Sequence, residues 1–536
     1  MRYDVVVIGA GIAGLQAAVE ARRQGASVAV ITKVHPLRSY SITIQDGINA
    51  ALAQGDSPQA HIADTLRSGD GLNDKSVVEA YCAEAPAAVR ELYNLGVPFN
   101  LDPQGDVALV KLQGSEQARA AHVHDMTGHV LAQVLYEQAL KYEVVFFEEW
   151  YVPSLAVEDG VCTGALAFQL STGNLDLISG GAIVMAAGGV RRLYEPSTSS
   201  THCNADGIGI AYRAGAQLVD MEMVQYHPSI IKAGRLAISE LLLANGAQLE
   251  GKDGQAVTGS AQPFGHSLAR AAAEAIASGA GEDGNLNLKT SITQEQADTT
   301  YYNTNARLQM FMKGNLAGDP IPVHPGMYRI LGGIATDASG ATSVSGLFAA
   351  GECAGTGFHG AGAMDGNGLL ASVLSGHRAG SAAANAGKAS TGEASPAILQ
   401  EHQGKLKPLL ERDAKEGDLA GVRSELTSLM HEKAGLSRDA AGLAEAAEKI
   451  ASLKESYATM GIPTKALSFN YALQQHLETR TLLAAAEAIV GSAEARQESR
   501  GVHYRSDFPD KSDEAGSMRV VVEQGEGGPQ VSSRPV

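Results

Sequence analysis

The pattern of apolar and polar positions at the start of the chain predicts a strand, a helix and a second strand. Tyr3 to Ile8 is a short β-branched run, which is typical of a strand buried in a parallel sheet. A helix is predicted from Leu15 to Gly25 and a second strand from Ala26 to Thr32. The chain therefore begins with the order of elements of a β-α-β unit.

The turn between the first strand and the helix carries glycines at positions 9, 11 and 14, the pattern GxGxxG. Gly9 permits a tight turn, Gly11 lets the backbone approach a pyrophosphate, and Gly14 lets the helix pack closely on the strand. The helix N-terminus then offers N–H groups and the positive end of its dipole to phosphates. In this strand–turn–helix context the motif predicts dinucleotide binding.

Three later segments differ in pattern. Residues 250–320 show no doubly wound pattern and are rich in Gly, Ala, Ser, Asn and Gln, and the strand-like run 346–350 then resumes α/β character. Residues 393–500 are rich in Leu and Ala with interspersed charges, which predicts helices with one buried face, one of them starting at Pro396 and others separated by Gly435. The end of the chain is predicted to be a short strand and a loose tail.

Composition and charge narrow the partners of this 536-residue chain. Its formal net charge of −18 gives no general attraction to nucleic acid or anionic lipid. The four cysteines are isolated, so no ligand run for an iron–sulfur cluster or a zinc ion is present, and no metal site is predicted. No apolar run is long enough to cross a membrane, and the first strand stands where a signal peptide would be, so we expect a cytoplasmic protein with reduced thiols.

The second strand departs from the usual dinucleotide-binding pattern. It ends in Thr32 and Lys33 instead of the acidic residue that commonly holds the adenosine ribose. This ending disfavours plain NAD binding and favours a flavoprotein of another subtype.

The segment TKVHPLRSYSITIQDGINAAL, residues 32–52, resembles a flavin-binding segment with the pattern TKxxPxRSHTxxAQGGIxAAL. That pattern belongs to the flavoprotein subunits of succinate dehydrogenase and fumarate reductase, whose superfamily includes L-aspartate oxidase. Further matches follow in order: DMTGH at 125–129, AAGG at 186–189, DG at 206–207, DMEMVQYHP at 220–228, GGI at 332–334, GLFAAGE at 346–352, HGAGAMDGNGLL at 359–370 and SRGVHYRSDFPD at 499–510. On these matches the chain is identified as a member of this family.

The resemblance implies an α/β fold in which a Rossmann-like FAD-binding domain is interrupted by a mobile α+β capping domain and followed by a C-terminal helical domain. We place the FAD-binding domain at residues 1–247 and 321–390 and the capping domain at 248–320. The helical domain is placed at 391–500 and a C-terminal tail at 501–536.

The resemblance also implies FAD as the cofactor. Carried over by position, the residues that bind it are Gly9, Gly11, Gly14, Thr32, Lys33, Ser39, Tyr40, Gln45, Gly47, Gly188, Asp206, Glu352, Gly368 and Leu369. The succinate and fumarate enzymes bond their flavin covalently through a His where this chain has Tyr40, so we expect non-covalent FAD. Asp46 replaces the first Gly of the family's QGG; ionised beside the flavin it would lower the flavin potential, and the alternative is that it points away and caps the following turn.

The family reaction interconverts an alkane and an alkene between two carboxylates, with hydride exchanged at the flavin and a proton exchanged on the other face. By position, the resemblance assigns catalytic roles to His227, to Glu240 in the pair Ser239-Glu240, to Arg270 and to Tyr328.

Three central polar residues of the family are replaced. Gly265 stands at the position of the proton-transferring Arg, Tyr328 at that of a substrate-binding His, and Ala363 at that of a carboxylate-anchoring Arg. Because each charged hydrogen bond contributes roughly 1.5–3 kcal/mol, the loss at Ala363 weakens binding of a C4 dicarboxylate. The residues that could substitute are His266, Arg329, Arg235, Lys232 and Tyr328.

These features predict an FAD-dependent oxidoreductase with an altered substrate pocket. The resemblance implies that it exchanges electrons with an iron–sulfur subunit and a membrane-anchored quinone complex, at the inner face of the membrane. Two alternatives stay open: a flavin electron-transfer or structural subunit that has lost dicarboxylate chemistry, and an L-aspartate oxidase-like enzyme. The second also needs the anchoring Arg that Ala363 does not supply.

Overall fold

The computed structural model describes residues 1–198, 201–231, 235–257, 265–412 and 418–536. Lys232, one of the residues proposed to substitute for a lost arginine, lies outside these ranges. The strands are β1 Arg2–Ile8, β2 Val28–Thr32, β3 Ile48–Asn49, β4 Leu109–Val110, β5 Ala120–Ala121, β6 Val145–Glu148, β7 Trp150–Glu158, β8 Val161–Gln169, β9 Leu175–Met185, β10 Leu218–Val219, β11 Val224–Ile231, β12 Leu236–Ala237, β13 Gln248–Glu250, β14 Leu286–Lys289, β15 Ile321–Ile330, β16 Gly333–Ala335, β17 Leu347–Ala349, β18 Ala354–Gly355, β19 Met518–Gly525 and β20 Gly528–Pro535.

The helices alternate with these strands in the first part of the chain and dominate the last part. They are α1 Ile12–Arg23, α2 Pro58–Ser68, α3 Lys75–Asn94, α4 Thr127–Lys141, α5 Asp206–Arg213, α6 Glu240–Ala244, α7 Gly265–Ala277, α8 Gln294–Asp298, α9 Tyr302–Met312, α10 Asn367–Ala389, α11 Pro396–Glu411, α12 Asp418–Lys433, α13 Ala440–Thr459, α14 Tyr471–Ala495 and α15 Asp513–Gly516. No helix in the described ranges is both long enough and apolar enough to cross a membrane.

The largest sheet has the strand order β6-β2-β1-β9-β8-β7, and β17 also pairs with β9. The strands β6, β2, β1, β9 and β17 are parallel, and β8 and β7 extend the sheet antiparallel. The predicted β-branched runs form its buried centre, where Val5, Val6 and Val7 have no exposed surface. This is the Rossmann-like sheet that the sequence predicts, with its glycine turn at the carboxyl end of β1.

Helix α1 begins three residues before its predicted start at Leu15. Gly11 is the N-cap residue, and Gly14 lies inside the first turn of the helix. Glycine has a low helix propensity, so propensity alone disfavours a helix that includes Gly14. Close packing of Gly14 against the backbone of the glycine turn stabilises the helical conformation there.

A second, antiparallel sheet has the order β12-β11-β15-β14-β13 and carries helices α7, α8 and α9 around it. This α+β unit interrupts the Rossmann-like part. The sheet includes residues on both sides of the proposed domain boundaries at 248 and 320, since β11 and β15 pair directly. The division of the chain into domains at these residues remains a proposal.

The C-terminal part contains the four helices α11 to α14, and Gly435 lies between α12 and α13, as predicted. The expectation of a loose C-terminal tail is wrong. Strands β19 and β20 form an antiparallel hairpin paired over eight positions, and β19 also pairs with β10. The hairpin is held because Val520, Val521 and Val522 are buried.

Candidate functional site

The glycine turn after β1 is built so that side chains are excluded. Gly9 has φ +105°, and a Cβ there would lie 2.3 Å from the carbonyl oxygen of Ala186. A Cβ on Gly14 would lie 2.0 Å from the carbonyl oxygen of Gly9. The N-cap residue Gly11 offers no side-chain cap; the Ser41 hydroxyl accepts the backbone N–H of Ile12 at 3.2 Å, and the positive end of the helix dipole borders the adjoining cleft.

This turn opens into a cleft with about 1030 Å³ of empty space. A second cavity of about 730 Å³ shares Tyr40 and Glu352 with it. The predicted cofactor residues that line the first cleft are Gly9, Gly11, Thr32, Lys33, Ser39, Tyr40, Gly188, Asp206 and Glu352, and those that line the second cavity include Tyr40, Gly47, Glu352, Gly368 and Leu369. The structure thus brings residues from distant motifs to one elongated site, with Gly14 packed beneath it.

Lys33 connects the cleft to helices α5 and α14 through buried hydrogen bonds. Its ammonium donates to Asp206 Oδ2 at 2.6 Å, to Glu478 Oε1 at 2.9 Å and to the His202 carbonyl at 3.0 Å. These contacts hold both Lys33 and Asp206 in a buried ion-pair network at the wall of the cleft. Thr32 is also engaged locally, since its hydroxyl donates to the Val34 carbonyl at 2.7 Å.

Tyr40 stands at the junction of the two cavities. Its hydroxyl and that of Thr198 are 2.9 Å apart, and the Arg191 guanidinium covers its ring. Arg191 in turn pairs with Glu352 at 2.6 Å, and Glu352 accepts the backbone N–H of Ile330 at 3.2 Å. The Tyr40 side chain is therefore held by Arg191 on one face of the ring and by Thr198 at the hydroxyl.

Gln45 joins the α+β unit to the Rossmann-like part. Its side-chain amide donates to the Ala237 carbonyl at 3.0 Å and accepts from the Thr304 hydroxyl at 2.9 Å. Gly47 lies against the backbone of Ala121, where a Cβ would be 2.6 Å from the carbonyl oxygen. These residues place the turn that carries Asp46.

A third cavity lies beyond Tyr40 and is lined by His227, Tyr328 and Asp46. Burial lowers the pKa of His227 to about 3, with a further contribution from the nearby Arg329 charge. Its Nδ1 accepts the Ser229 backbone N–H at 3.1 Å, so the neutral ring carries its proton on Nε2. The Nε2 atom is 4.0 Å from Glu240 Oε1.

Three buried carboxyl groups meet at the inner end of this site: Asp46, Glu240 and Asp365. Burial raises the pKa of all three, and the neighbouring carboxylates raise that of Glu240 further. The Ser239 hydroxyl donates to Asp46 Oδ1 at 3.1 Å, so Asp46 points into the site and does not simply cap the turn that follows it. Burial first, and repulsion from neighbouring carboxylates next for Glu240 and Asp365, favour the protonated forms of the cluster.

Among the described residues predicted as substitutes, Arg329 and Tyr328 reach the inner end. The Arg329 guanidinium lies 4.3 Å from the centre of the Tyr328 ring, and Arg329 lines the second cavity. Arg235 lines the outer part of the third cavity and pairs with Glu195 at 2.8 Å. Ala363 is buried, and its N–H donates to Gln225 Oε1 at 3.2 Å.

The structure does not group Arg270 with His227, Glu240 and Tyr328. Arg270 lies on α7 and lines a separate cleft together with His266, and its guanidinium stacks on the Tyr504 ring at 4.6 Å. The reason is that the aromatic ring of the C-terminal segment holds it away from the cavities that contain Tyr40.

Sequence reasoning missed three residues of the site. Arg191 and Arg307 lie outside every matched motif, so nothing in the sequence marked them. Asp365 had a signal, because it is an acid within the glycine-rich segment HGAGAMDGNGLL.

The residues present fit an FAD. The turn at Gly9 and Gly14 leaves no room for a Cβ, and the elongated cleft runs from the N-terminus of α1 to Tyr40. The family profile described as FAD binding domain matches residues 4–369, and the one described as Fumarate reductase flavoprotein C-term matches residues 423–536. The chain belongs to the succinate dehydrogenase/fumarate reductase flavoprotein family.

Relatives in this family align over nearly the whole chain. The fumarate reductase flavoprotein subunit of Mycobacterium tuberculosis is 31% identical over 544 residues, covering 96% of this chain and 93% of the relative. The succinate dehydrogenase flavoprotein subunit of Rickettsia conorii is 32% identical, covering 96% and 91%.

Solved structures of the family have the same fold. The E. coli quinol fumarate reductase FrdA matches with a TM-score of 0.94 at 26% identity, covering 100% of this chain and 97% of that one. Mycobacterium smegmatis Sdh1 matches with a TM-score of 0.88 at 29% identity, covering 100% and 94%. As a member of the succinate dehydrogenase/fumarate reductase flavoprotein family, this chain is an FAD-dependent oxidoreductase.

Proposed function

We propose that this chain exchanges a hydride between FAD and a small substrate other than a C4 dicarboxylate. The observation that carries the proposal is the buried carboxyl cluster of Asp46, Glu240 and Asp365, because Asp46 itself lines the inner end of the third cavity. A second carboxylate of the substrate placed there would add a negative charge to a buried cluster whose raised pKa values already indicate that negative charge is disfavoured, and burying that charge is costly.

FAD, when bound, supplies the two-electron acceptor or donor. The glycine turn and the N-terminus of α1 would hold its phosphates, and Tyr40, Gly47, Glu352 and Leu369 would surround its ring system. We propose that attachment is non-covalent. Support comes from Tyr40, whose hydroxyl is already engaged with Thr198.

Three side chains are placed to manage the proton that accompanies hydride exchange. Burial keeps the pKa of Tyr328 well above its usual range, so its hydroxyl stays protonated and can donate into the cavity. Glu240 also keeps a proton, and neutral His227 directs Nε2–H toward it. We assign proton exchange with the substrate to Tyr328, and we assign to Glu240 and His227 the role of a relay that exchanges this proton with Tyr328.

We also propose that electrons leave or enter through an iron–sulfur partner. The named relatives are flavoprotein subunits, and this chain's four cysteines are all buried and far apart in sequence, so it offers no cluster of its own. Copurification with an iron–sulfur protein would support this partnership.

The test uses the FAD-loaded chain under anaerobic conditions. Flavin absorbance is followed after adding succinate to the oxidised form, and after adding fumarate, crotonate or cinnamate to the dithionite-reduced form. We expect succinate and fumarate to leave the flavin unchanged and an enoate with one carboxylate to reoxidise it. Rapid reoxidation by fumarate would contradict the proposal.

Variants separate the proton donor from general damage. Tyr328→Phe should slow reoxidation by about 10²-fold or more, as removal of a general acid does. Tyr194→Phe is the matched control, since it removes another buried hydroxyl, one that donates to the Ala434 carbonyl outside the three cavities. Equal rates in both variants would remove Tyr328 from the mechanism.

A further inference from the structure

The third cavity changes character from its mouth to its inner end. It has about 830 Å³ of empty space. Phe311 at the mouth is 52% exposed, whereas Asp46 and Tyr328 are each 6% exposed. The cavity therefore runs from the surface of α9 to the buried carboxyl cluster.

The mouth carries a cation that the described chain leaves unneutralised. Arg307 lies on α9 and lines the cavity, and no described residue forms a hydrogen bond or ion pair with its guanidinium. The acid whose charge acts on it, Asp125, already accepts the backbone N–H groups of Asn303 at 3.1 Å and Thr304 at 2.6 Å. A half-buried guanidinium without a partner is a site prepared for an anion.

Arg235 stands at the same mouth but is already used. It pairs with Glu195 at 2.8 Å, with about a third of its side chain exposed. Arg307 is therefore the arginine at the mouth whose guanidinium N–H groups have no partner among the described residues. Arg235 adds positive potential beside it.

The walls between mouth and inner end are apolar. Ile44, Leu236 and Phe311 line this stretch. A ligand that follows the cavity must place an apolar body against these walls. Its far end then meets Asp46, which belongs to the acidic cluster and disfavours a second negative charge.

We infer that this cavity binds an amphipathic monoanion. Its single carboxylate is held by Arg307, its apolar body lies along Leu236 and Phe311, and its uncharged end points to Tyr328. This inference rests on the proposed function, since it names the substrate class of the same site. Arg307 is the specificity-determining residue, and it takes over the anchoring role at a different place from Gly265 and Ala363.

The test is calorimetric binding of three probes to the FAD-loaded, oxidised chain: cinnamate, its neutral amide cinnamamide, and the dianion fumarate. We expect cinnamate to bind at least tenfold more tightly than either of the other two. Arg307→Ala should weaken cinnamate binding at least tenfold and leave cinnamamide binding within twofold. Arg307→Lys should recover part of the loss, because a point charge replaces the planar fork.

Lys313→Ala is the matched control, since it removes an exposed cation that follows the same helix outside the cavity lining. Cinnamate binding should stay within twofold in this variant. The inference is overturned if wild type does not bind cinnamate, if it binds fumarate or cinnamamide as tightly, or if Arg307→Ala and Lys313→Ala behave alike.

These failures differ from failure of the proposed function. Binding is measured without turnover, so the anchoring role of Arg307 can hold in a chain that reduces no enoate. Conversely, an enoate could reoxidise the flavin equally fast in wild type and in Arg307→Ala. That result would support the oxidoreductase function and exclude the anchoring role of Arg307.

Discussion

The carbon of the Arg191 guanidinium lies 3.6 Å from the centre of the Tyr40 ring. The same guanidinium pairs with Glu352, so the cation is held in place over the ring. A cation over an aromatic face is attractive, and more so when it is shielded from water. The Tyr40 side chain is thereby fixed at the junction of two cavities.

From this arrangement we predict that FAD is released intact by acid. Trichloroacetic acid should leave a yellow supernatant and a colourless pellet, because the Tyr40 hydroxyl is engaged with Thr198. Tyr40→Phe, which keeps the ring under Arg191, should retain most of the FAD. A yellow pellet with flavin mass on the Tyr40 peptide would contradict this prediction.

The glycine turn should tolerate no side chain. Gly9→Ala should abolish copurifying FAD, because its Cβ would meet the Ala186 carbonyl and the backbone has φ +105°. Gly25→Ala is the matched control: it also has positive φ, at +81°, but nothing lies within 4 Å of its Cβ. FAD content, measured by absorbance, should stay normal in the control. Equal loss in both would mean that backbone strain, and not the lack of room, is decisive.

The Lys33 network should be the most sensitive ion-pair site near the cleft. Lys33→Met leaves Asp206 and Glu478 buried without their shared cation, which should cost about 3–5 kcal/mol of unfolding free energy. Lys454→Met breaks a pair with Glu487 at 2.7 Å whose lysine is 43% exposed, and should cost no more than about 1 kcal/mol. Urea unfolding of both variants measures the difference, and similar midpoints would refute it.

The carboxyl cluster should make stability depend on pH. Burial, and next the Asp46 charge, raise the pKa of Asp365 from 3.8 to about 7. Between these values the folded chain keeps a proton that the unfolded chain loses, so the free energy of unfolding should fall as pH rises from about 4 to about 7. Asp365→Asn should flatten this fall.

The half-exposed Asp176 provides the control for the pH experiment. Asp176→Asn should leave the wild-type pH dependence in place, because this side chain lies outside the cluster. Thermal unfolding at several pH values measures both variants. A decline of unchanged steepness in Asp365→Asn would show that Asp365 does not hold the proton.

Local patterns predicted the elements whose character is set by neighbours in sequence. The β-branched run before Gly9 became β1, Pro396 begins α11, and Gly435 lies between two helices. The hairpin of β19 and β20 was missed because its stability comes from β10, about 300 residues away.

The sequence by itself determined the family and the FAD cofactor, because ordered motifs encode backbone geometry directly, and it predicted the loss of polar residues at Gly265 and Ala363. Only the tertiary structure decided which charges meet. It gathered Asp46, Glu240 and Asp365, placed Arg307 at the mouth of their cavity, and set Arg270 in another cleft. The physical reason is that burial and charge pairing are properties of contacts between distant segments, which no local pattern contains.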